Sequence, residues 1–346
     1  MKLLIIAQKV DRDDTIFSFF HSWLIEIAKH FEKVEVICLY KGSYELPVNV
    51  HVYSLGKEEG PSRFKYLYNF YSLIIKLRKE YDAVFVHQNQ EYVILGSLMW
   101  KLWRKPVFMW RNHYAGSWFT DVAAKLCKKI FCTSRYSYTA RFEKTVFMPV
   151  GVDTSVFKKD QSIPSVPNSI LSLGRLAPSK NIEKFIETLA TIKRQGVAYT
   201  ATICGDALPR DLAYVRSLKE QVRNADLSET VTFLSGVPNN ITPRIYSSHE
   251  IFVNQSKSGM FDKTIFEAMA CENVTLVCNK DLNGQIDARC IFDEDSVADL
   301  AHKLKVLLIL SADEKSRLAM ELRKYAEEHH SLAKLATKLK EEMFAK

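Results

Sequence analysis

The chain has no apolar run approaching the roughly 20 residues that a bilayer-crossing helix needs. It also has no CxxC pair. Its seven cysteines, Cys38, Cys127, Cys132, Cys204, Cys271, Cys278 and Cys290, are odd in number and scattered. That argues against a disulfide framework and against structural zinc, and it fits a reducing compartment. No glycine-rich fingerprint follows the first apolar run, where Ala7 leads into Gln8, Lys9 and Val10, which weighs against a dinucleotide dehydrogenase. P-loop, GxSxG and HExxH motifs are absent too. The apolar opening stops at Gln8 and Lys9 without a cleavage signal, so it reads as a first strand and the expected location is cytoplasmic. The run Asp11, Asp13, Asp14 reads as a polar loop at a strand end rather than as a cation site.

What is present is the composition of a globular chain, 47% hydrophobic and 25% charged, with 346 residues that suit two domains. The formal charge of +8 is uneven. Residues 1–155 hold 22 Lys and Arg against 15 Asp and Glu; residues 156–346 hold 26 against 25. A basic first half serves an anionic membrane surface, a nucleic acid or an acidic substrate, and a solvated basic face with no partner explains the charge equally well.

Both halves alternate strand and helix patterns. Short runs rich in Ile, Val and Phe at 2–7, 34–39, 50–53, 83–86, 107–110, 129–132 and 145–147 read as buried strands. Helical periodicity lies between several of them, at 17–30, 64–80, 92–103 and 119–128. The stretch 150–169, with Gly151, Pro164 and Pro167, reads as a linker. Alternation resumes with strands at 170–172, 200–204, 231–234, 251–253 and 275–277, and a sixth at 290–292. Such alternation predicts α/β domains with parallel sheets covered on both faces. The charged amphipathic stretches 314–329 and 332–344 read as a terminal helix pair, either solvated or returning to the first domain.

Three segments carry polar groups to the ends of strands. In the first, a strand ends at Gly174, Arg175 follows, and a helix is expected to open near Ser179, beside Lys180. Ligands of open α/β sheets bind at this carboxyl edge, and a helix start adds free N–H groups and partial positive charge. Arg and Lys there suit a diphosphate, although an ordinary turn with two surface cations has the same sequence. In the second, Gly259 permits close backbone approach and Glu267 sits about a turn inside a helix opening near Asp262. A carboxylate so placed can accept from a vicinal diol; a solvated Glu ahead of core Ala268, Met269 and Ala270 fits as well. In the third, His113 follows the strand 107–110, where an imidazole can serve a sugar hydroxyl or a leaving group, or simply be structural.

Taken together, these segments resemble the glycosyltransferase family 4 group of the GT-B superfamily across nearly the whole chain. The matching residues are Gly174, Arg175 and Lys180; Glu267 through Ala270; the stretch from Pro149 through Gly151, Val152 and Asp153 to Phe157; and the pair Gly205 and Asp206. The resemblance implies two Rossmann-like domains facing across a cleft: an acceptor domain at 1–155, a linker at 156–168, a nucleotide-sugar domain at 169–325, and a terminal helix, 326–346, packing back on the first. It implies metal-independent transfer with retention, from a nucleoside-diphosphate sugar, UDP favoured over GDP, to a hydroxyl of a glycan or lipid-linked acceptor, with no cofactor and no nucleic-acid partner. Arg175 and Lys180 would hold the diphosphate, Glu267 the ribose, and His113 would approach the transferred sugar. The family often has a Glu where this chain has Gly259. The expected replacements are Met260, Phe261, Asp262, Lys263 and Thr264, through backbone N–H groups and the side chains of Asp262 and Lys263. A non-catalytic nucleotide-sugar-binding relative and a GT-B-fold epimerase are the alternatives.

The segment 63–79 interleaves cations with aromatics on a helical pattern, and 101–105 adds a basic, Trp-bearing patch. Such segments lie at an anionic membrane face or form core helices, and both readings stand on the residues alone.

Overall fold

The structure, a computed structural model, describes residues 1–259 and 261–344. The chain forms two compact units, Met1–Gly151 with Leu332–Lys346, and Val152–Ser331.

In unit 1 the elements run β1 (Lys2–Val10), α1 (Phe19–Ala28), β2 (Lys33–Lys41), β3 (Val50–Ser54), α2 (Arg63–Lys76), β4 (Ala83–His87), α3 (Gln90–Leu102), β5 (Val107–Trp110), α4 (Trp118–Leu126), β6 (Lys129–Cys132) and β7 (Thr145–Phe147). The strands form one parallel sheet in the order β3-β2-β1-β4-β5-β6-β7. Side chains alternate across it. Leu3, Ile5 and Ala7 pack on one face with α1, whereas Leu4 and Ile6 pack on the other with α2, α3 and α4. Both faces are therefore apolar, which is why these strands read as continuous hydrophobic runs.

Unit 2 runs β8 (Val166–Leu173), α5 (Ile182–Arg194), β9 (Thr200–Cys204), α6 (Leu212–Asn224), β10 (Val231–Leu234), α7 (Thr242–Ser247), β11 (His249–Asn254), α8 (Lys263–Ala270), β12 (Val274–Val277), α9 (Val297–Leu308) and α10 (Ala312–His330). Its parallel sheet is ordered β10-β9-β8-β11-β12. A last helix, α11 (Leu332–Phe344), belongs to unit 1. There Leu335, Leu339 and Met343 join the α1 face, Lys129 Nζ meets Glu342 at 2.7 Å, and Lys338 Nζ donates to the carbonyl of Phe147.

Several boundaries differ from the sequence expectation. The chain leaves unit 1 at Gly151 and re-enters at Leu332, rather than at 155 and 326. The expected linker 156–168 is bound to unit 2: Lys159 Nζ donates to the carbonyl of Ser247, Asp160 N–H donates to Ser247 Oγ, and β8 already begins at Val166. The expected strand 290–292 is a single bridge between Val277 and Ile291, because a tight turn over Ala288–Cys290 runs straight into it.

Candidate functional site

In unit 2 the strand order reverses between β8 and β11, so the loops leaving these strands diverge and open a crevice at their carboxyl ends. Gly174, Arg175 and Lys180 lie on one side of it, and Asn254, Gln255 and Ser256 on the other. The loop after β8 is pinned by its neighbour. Gly174 N–H donates to Cys204 O (3.0 Å), Leu176 N–H to Asp206 O (2.9 Å), and Gly205 N–H to Leu234 O (3.0 Å). Gly205 has φ +153°, and a Cβ there would stand 1.9 Å from the carbonyl oxygen of Gly174. Only glycine lets the two loops nest. The carboxylate of Asp206 accepts from Gly236 N–H at 2.9 Å, so it ties a third loop into the stack.

No helix opens at Ser179. Residues Pro178–Lys180 form a tight turn, Asn181 takes a left-handed conformation (φ +51°), and α5 starts at Ile182. Asn is among the few side chains that adopt this conformation readily, and Asn181 Nδ2 donates to the carbonyl of Gln255. The first helical N–H, of Ile182, is taken by the Tyr214 hydroxyl at 3.1 Å. The cations at this edge are thus set by the turn rather than by the helix start.

Lys180 forms an ion pair with Asp262 and donates to Ser256 Oγ (3.1 Å). Asp262, at the N-cap of α8, also accepts from Ser256 Oγ (2.9 Å) and Asn254 Nδ2 (3.1 Å). Burial works to raise this carboxyl, but the Lys180 ammonium and the hydrogen bonds outweigh it and hold Asp262 below the usual carboxylate range. Thr264 Oγ1 accepts from the same Asn254 amide (3.2 Å). Arg175 is half-buried, and neither its Nε nor Gln255 Nε2 has a hydrogen-bond partner among the described residues. Two donors are therefore left unused inside one polar crevice.

Glu267 is only 3% exposed. Its Oε1 accepts from Asn239 Nδ2 (3.3 Å) and its Oε2 from the Tyr246 hydroxyl (3.2 Å). Burial raises its carboxyl; Lys263, one turn earlier, and these two donors offset part of that. Burial in turn lowers the Lys263 ammonium, with Glu267 and Asp153 opposing. Glu267 is thus held by protein on both oxygens, and each oxygen keeps one further lone pair. Asn239, Tyr246, Gln255 and Ser256 were missed in the sequence because a lone polar residue at a strand or helix end carries no pattern. The polar run 254–256 directly after β11 was the available signal for Gln255 and Ser256; Asn239 and Tyr246 had none.

Of the expected donor positions, Gly174, Arg175 and Lys180 line the crevice, and Asp262 reaches it through Lys180. The ring of Phe261 packs edge-on to Phe266 (5.0 Å) and against His330 (5.6 Å), because an aromatic beside the start of α8 gains more from that core. Gly259 occupies a buried turn ahead of α8. Met260 lies outside the described residues.

His113 stands in unit 1, after β5. Its Nδ1 accepts from Ala115 N–H at 2.9 Å, and its ring stacks on Tyr114 at 4.5 Å. Burial, aided by Arg111 and opposed by Ala115, lowers its pKa. Nδ1 also lies 3.2 Å from the Ala115 carbonyl oxygen, so the ring accepts from the Ala115 N–H in one tautomer and donates to that carbonyl in the other.

Residues 153–329 match the family model of glycosyl transferases group 1. The alpha-monoglucosyldiacylglycerol synthase of Streptococcus pneumoniae is 20% identical over 244 residues, 60% of this chain and 54% of that protein. The mannosylfructose-phosphate synthase of Agrobacterium fabrum is 30% identical over 111 residues, 31% of this chain and 24% of that one. The chain thus spans about half or less of the length of these curated relatives. Among solved structures, Anabaena HepE in complex with UDP and glucose superposes with a TM-score of 0.80 at 19% identity, covering 100% of both chains, and so shares the fold.

Proposed function

The chain belongs to the glycosyl transferases group 1 family, and on that premise we propose that it moves a sugar, with retention and without a metal, from a UDP-sugar to a hydroxyl of a glycan or lipid-linked acceptor. The observation that carries this reading is the crevice between β8 and β11, where Arg175 and Lys180 converge on a polar wall with an unused guanidinium N–H. The Arg175 guanidinium, with the Lys180 ammonium that a diphosphate would draw away from Asp262, matches the charge of such a group. Gly174 and Gly205 let the backbone approach it, and Asp206 braces the loop. Glu267 would use its remaining lone pairs on the ribose. Lys263 and Thr264, at the start of α8, would face the sugar in place of the acid missing at Gly259. In unit 1, His113 would offer its ring Nε2 to the transferred sugar.

Uridine is favoured because the fold is shared with a protein bound to UDP. A lipid-linked acceptor is supported by the glycolipid product in the name of one relative. It is also supported by the outer faces of α2, α3 and α4, which expose Phe64 (89%), Tyr68, Leu102 and Trp118 beside the exposed cations Arg63 and Lys101. Such a face suits peripheral contact with an anionic membrane surface on the cytoplasmic side. No helix among the described residues is long and apolar enough to cross a membrane.

Thermal denaturation against UDP, GDP and ADP tests the reading. At a hundred times its dissociation constant, UDP should add about 2.7 kcal/mol, and Lys180→Ala should abolish both that shift and sugar transfer. Equal or absent shifts for all three nucleotides would count against it. Transfer unaffected by EDTA, and sedimentation with anionic but not neutral liposomes at low salt, are the outcomes expected for the metal and membrane parts.

A further inference from the structure

Unit 1 carries a second set of unused polar groups, at the carboxyl ends of β4, β5 and β6. Three loops lie abreast there. Gln88 N–H donates to Trp110 O (2.8 Å), Arg111 N–H to Phe131 O (3.0 Å), and Thr133 N–H to Asn112 Oδ1 (3.3 Å). Asn89 is 9% exposed and Thr133 8%. Neither Asn89 Nδ2 nor Thr133 Oγ1 has a hydrogen-bond partner among the described residues, and the same holds for Arg111 Nε. Asn89 occupies the N-cap of α3, yet its side chain makes no cap hydrogen bond. Arg111 donates from Nη2 to the carbonyl of Ala115 (3.2 Å) and forms no ion pair with a described carboxylate. Burial disfavours its charge, and Glu91 offsets only part of that cost. Just before this cluster, Gln88 holds a left-handed backbone, φ +65°, which a non-glycine side chain adopts at a cost.

A half-buried guanidinium without a carboxylate, beside a buried amide N–H and a buried hydroxyl with no partner, is an expensive arrangement unless a ligand completes it. Of the orphaned atoms, Asn89 Nδ2 and Arg111 Nε donate, Gln90 Oε1 accepts, and the Thr133 hydroxyl can do either. A neutral sugar could pair with these atoms but would leave the guanidinium charge without a counter-charge. An oxyanion takes from all three donors, and the guanidinium fork matches its geometry.

We infer that this edge of unit 1 is an oxyanion pocket, in which Arg111, Asn89 and Thr133 hold a phosphate or carboxylate group carried by the acceptor. The word acceptor rests on the glycosyltransferase reading; the pocket does not. The test is calorimetric titration of the full chain at low salt with glucose 1-phosphate, glucuronate and glucose. At least one anionic probe should bind ten times more tightly than glucose. Arg111→Gln should remove that preference, Arg111→Lys should keep part of it, and Thr133→Val should weaken it severalfold, each with an unchanged melting profile. Arg175→Gln, altered at the proposed donor crevice, should retain it. Preference lost in Arg175→Gln but kept in Arg111→Gln would place the anion in unit 2 and overturn the inference. Anionic probes binding no better than glucose would overturn it as well. If Arg111→Gln does not fold, Thr133→Val decides: a severalfold weaker preference supports the inference, and an unchanged one overturns it. Failure of UDP to bind would refute the donor reading and leave this one standing. The phosphate and carboxylate arms separate a phosphorylated from an acidic-sugar acceptor.

Discussion

Lys180 and Asp262 neutralise each other inside the crevice, with Ser256 and Asn254 completing the shell. Removing one partner leaves the other half-buried and uncompensated, which typically costs on the order of 1–3 kcal/mol. Lys180→Ala and Asp262→Ala should each destabilise unit 2, and the double variant should lose less than the two together, as a denaturation cycle would show. The pair also has a pH signature. Because the folded pKa of Asp262 lies below its unfolded value of about 4, its contribution is fully present above that value and lost as pH falls through the folded one. Asp262→Asn should therefore flatten the acid limb of the stability profile below about pH 4, and an acid limb identical to that of the unaltered chain would remove Asp262 as its source. At this scale the sequence was only partly legible. Arg175 and Lys180 could be picked out because a cation after a strand-ending glycine is a pattern. That Asp262 would bind Lys180, and that Asn239 and Tyr246 would occupy both oxygens of Glu267, depends on contacts 21 to 82 residues apart in the chain, which no local spacing encodes.

Elements bring these residues together through close backbone approach. The loop after β8 holds its shape because Gly205 lies against Gly174, and a methyl group at Gly205 would overlap that carbonyl. Gly205→Ala should push the Gly174–Lys180 loop away from β9, cost roughly 1–3 kcal/mol, and weaken UDP binding, although Gly205 carries no functional group. A variant equal to the unaltered chain in melting temperature and UDP affinity would show that the loop is not braced in this way. Strands were the readable elements: β5, β6, β7, β9 and β10 fall where the apolar runs place them; for β5 and β6 this is because strands buried on both faces need continuous hydrophobic sequence, whereas β7 and β10 are partly exposed edge strands read from short β-branched and aromatic runs. Helix starts were less readable. The start expected at Ser179 moved to Ile182 because Asn181 turns left-handed and anchors to the carbonyl of Gln255, a tertiary contact that outweighs the capping preference of Ser.

At the scale of the molecule, unit 1 is built from both ends of the chain, and α11 supplies a wall of its core. Leu332, Leu335, Leu339 and Met343 are buried against the α1 face, where Gly151 allows the chain to pass: a Cβ at Gly151 would stand 2.4 Å from Leu335 Cδ2, and Trp23 Nε1 donates to the Gly151 carbonyl at 2.9 Å. Burying four such side chains stabilises by about 1.5–3 kcal/mol each, which is comparable to the whole stability of a domain, roughly 5–15 kcal/mol. Unit 2 has its own sheet and its own core within Val152–Ser331. Ending the chain at Ser331 should therefore unfold unit 1 while unit 2 keeps its structure. Limited proteolysis should then digest residues 1–151 rapidly and leave a resistant fragment close to 152–331, which should still bind UDP if the proposed donor crevice at Arg175 and Lys180 is the site. If both units instead resist the protease equally, α11 contributes little, and unit 1 is stabilised by the sheet and α1–α4 alone.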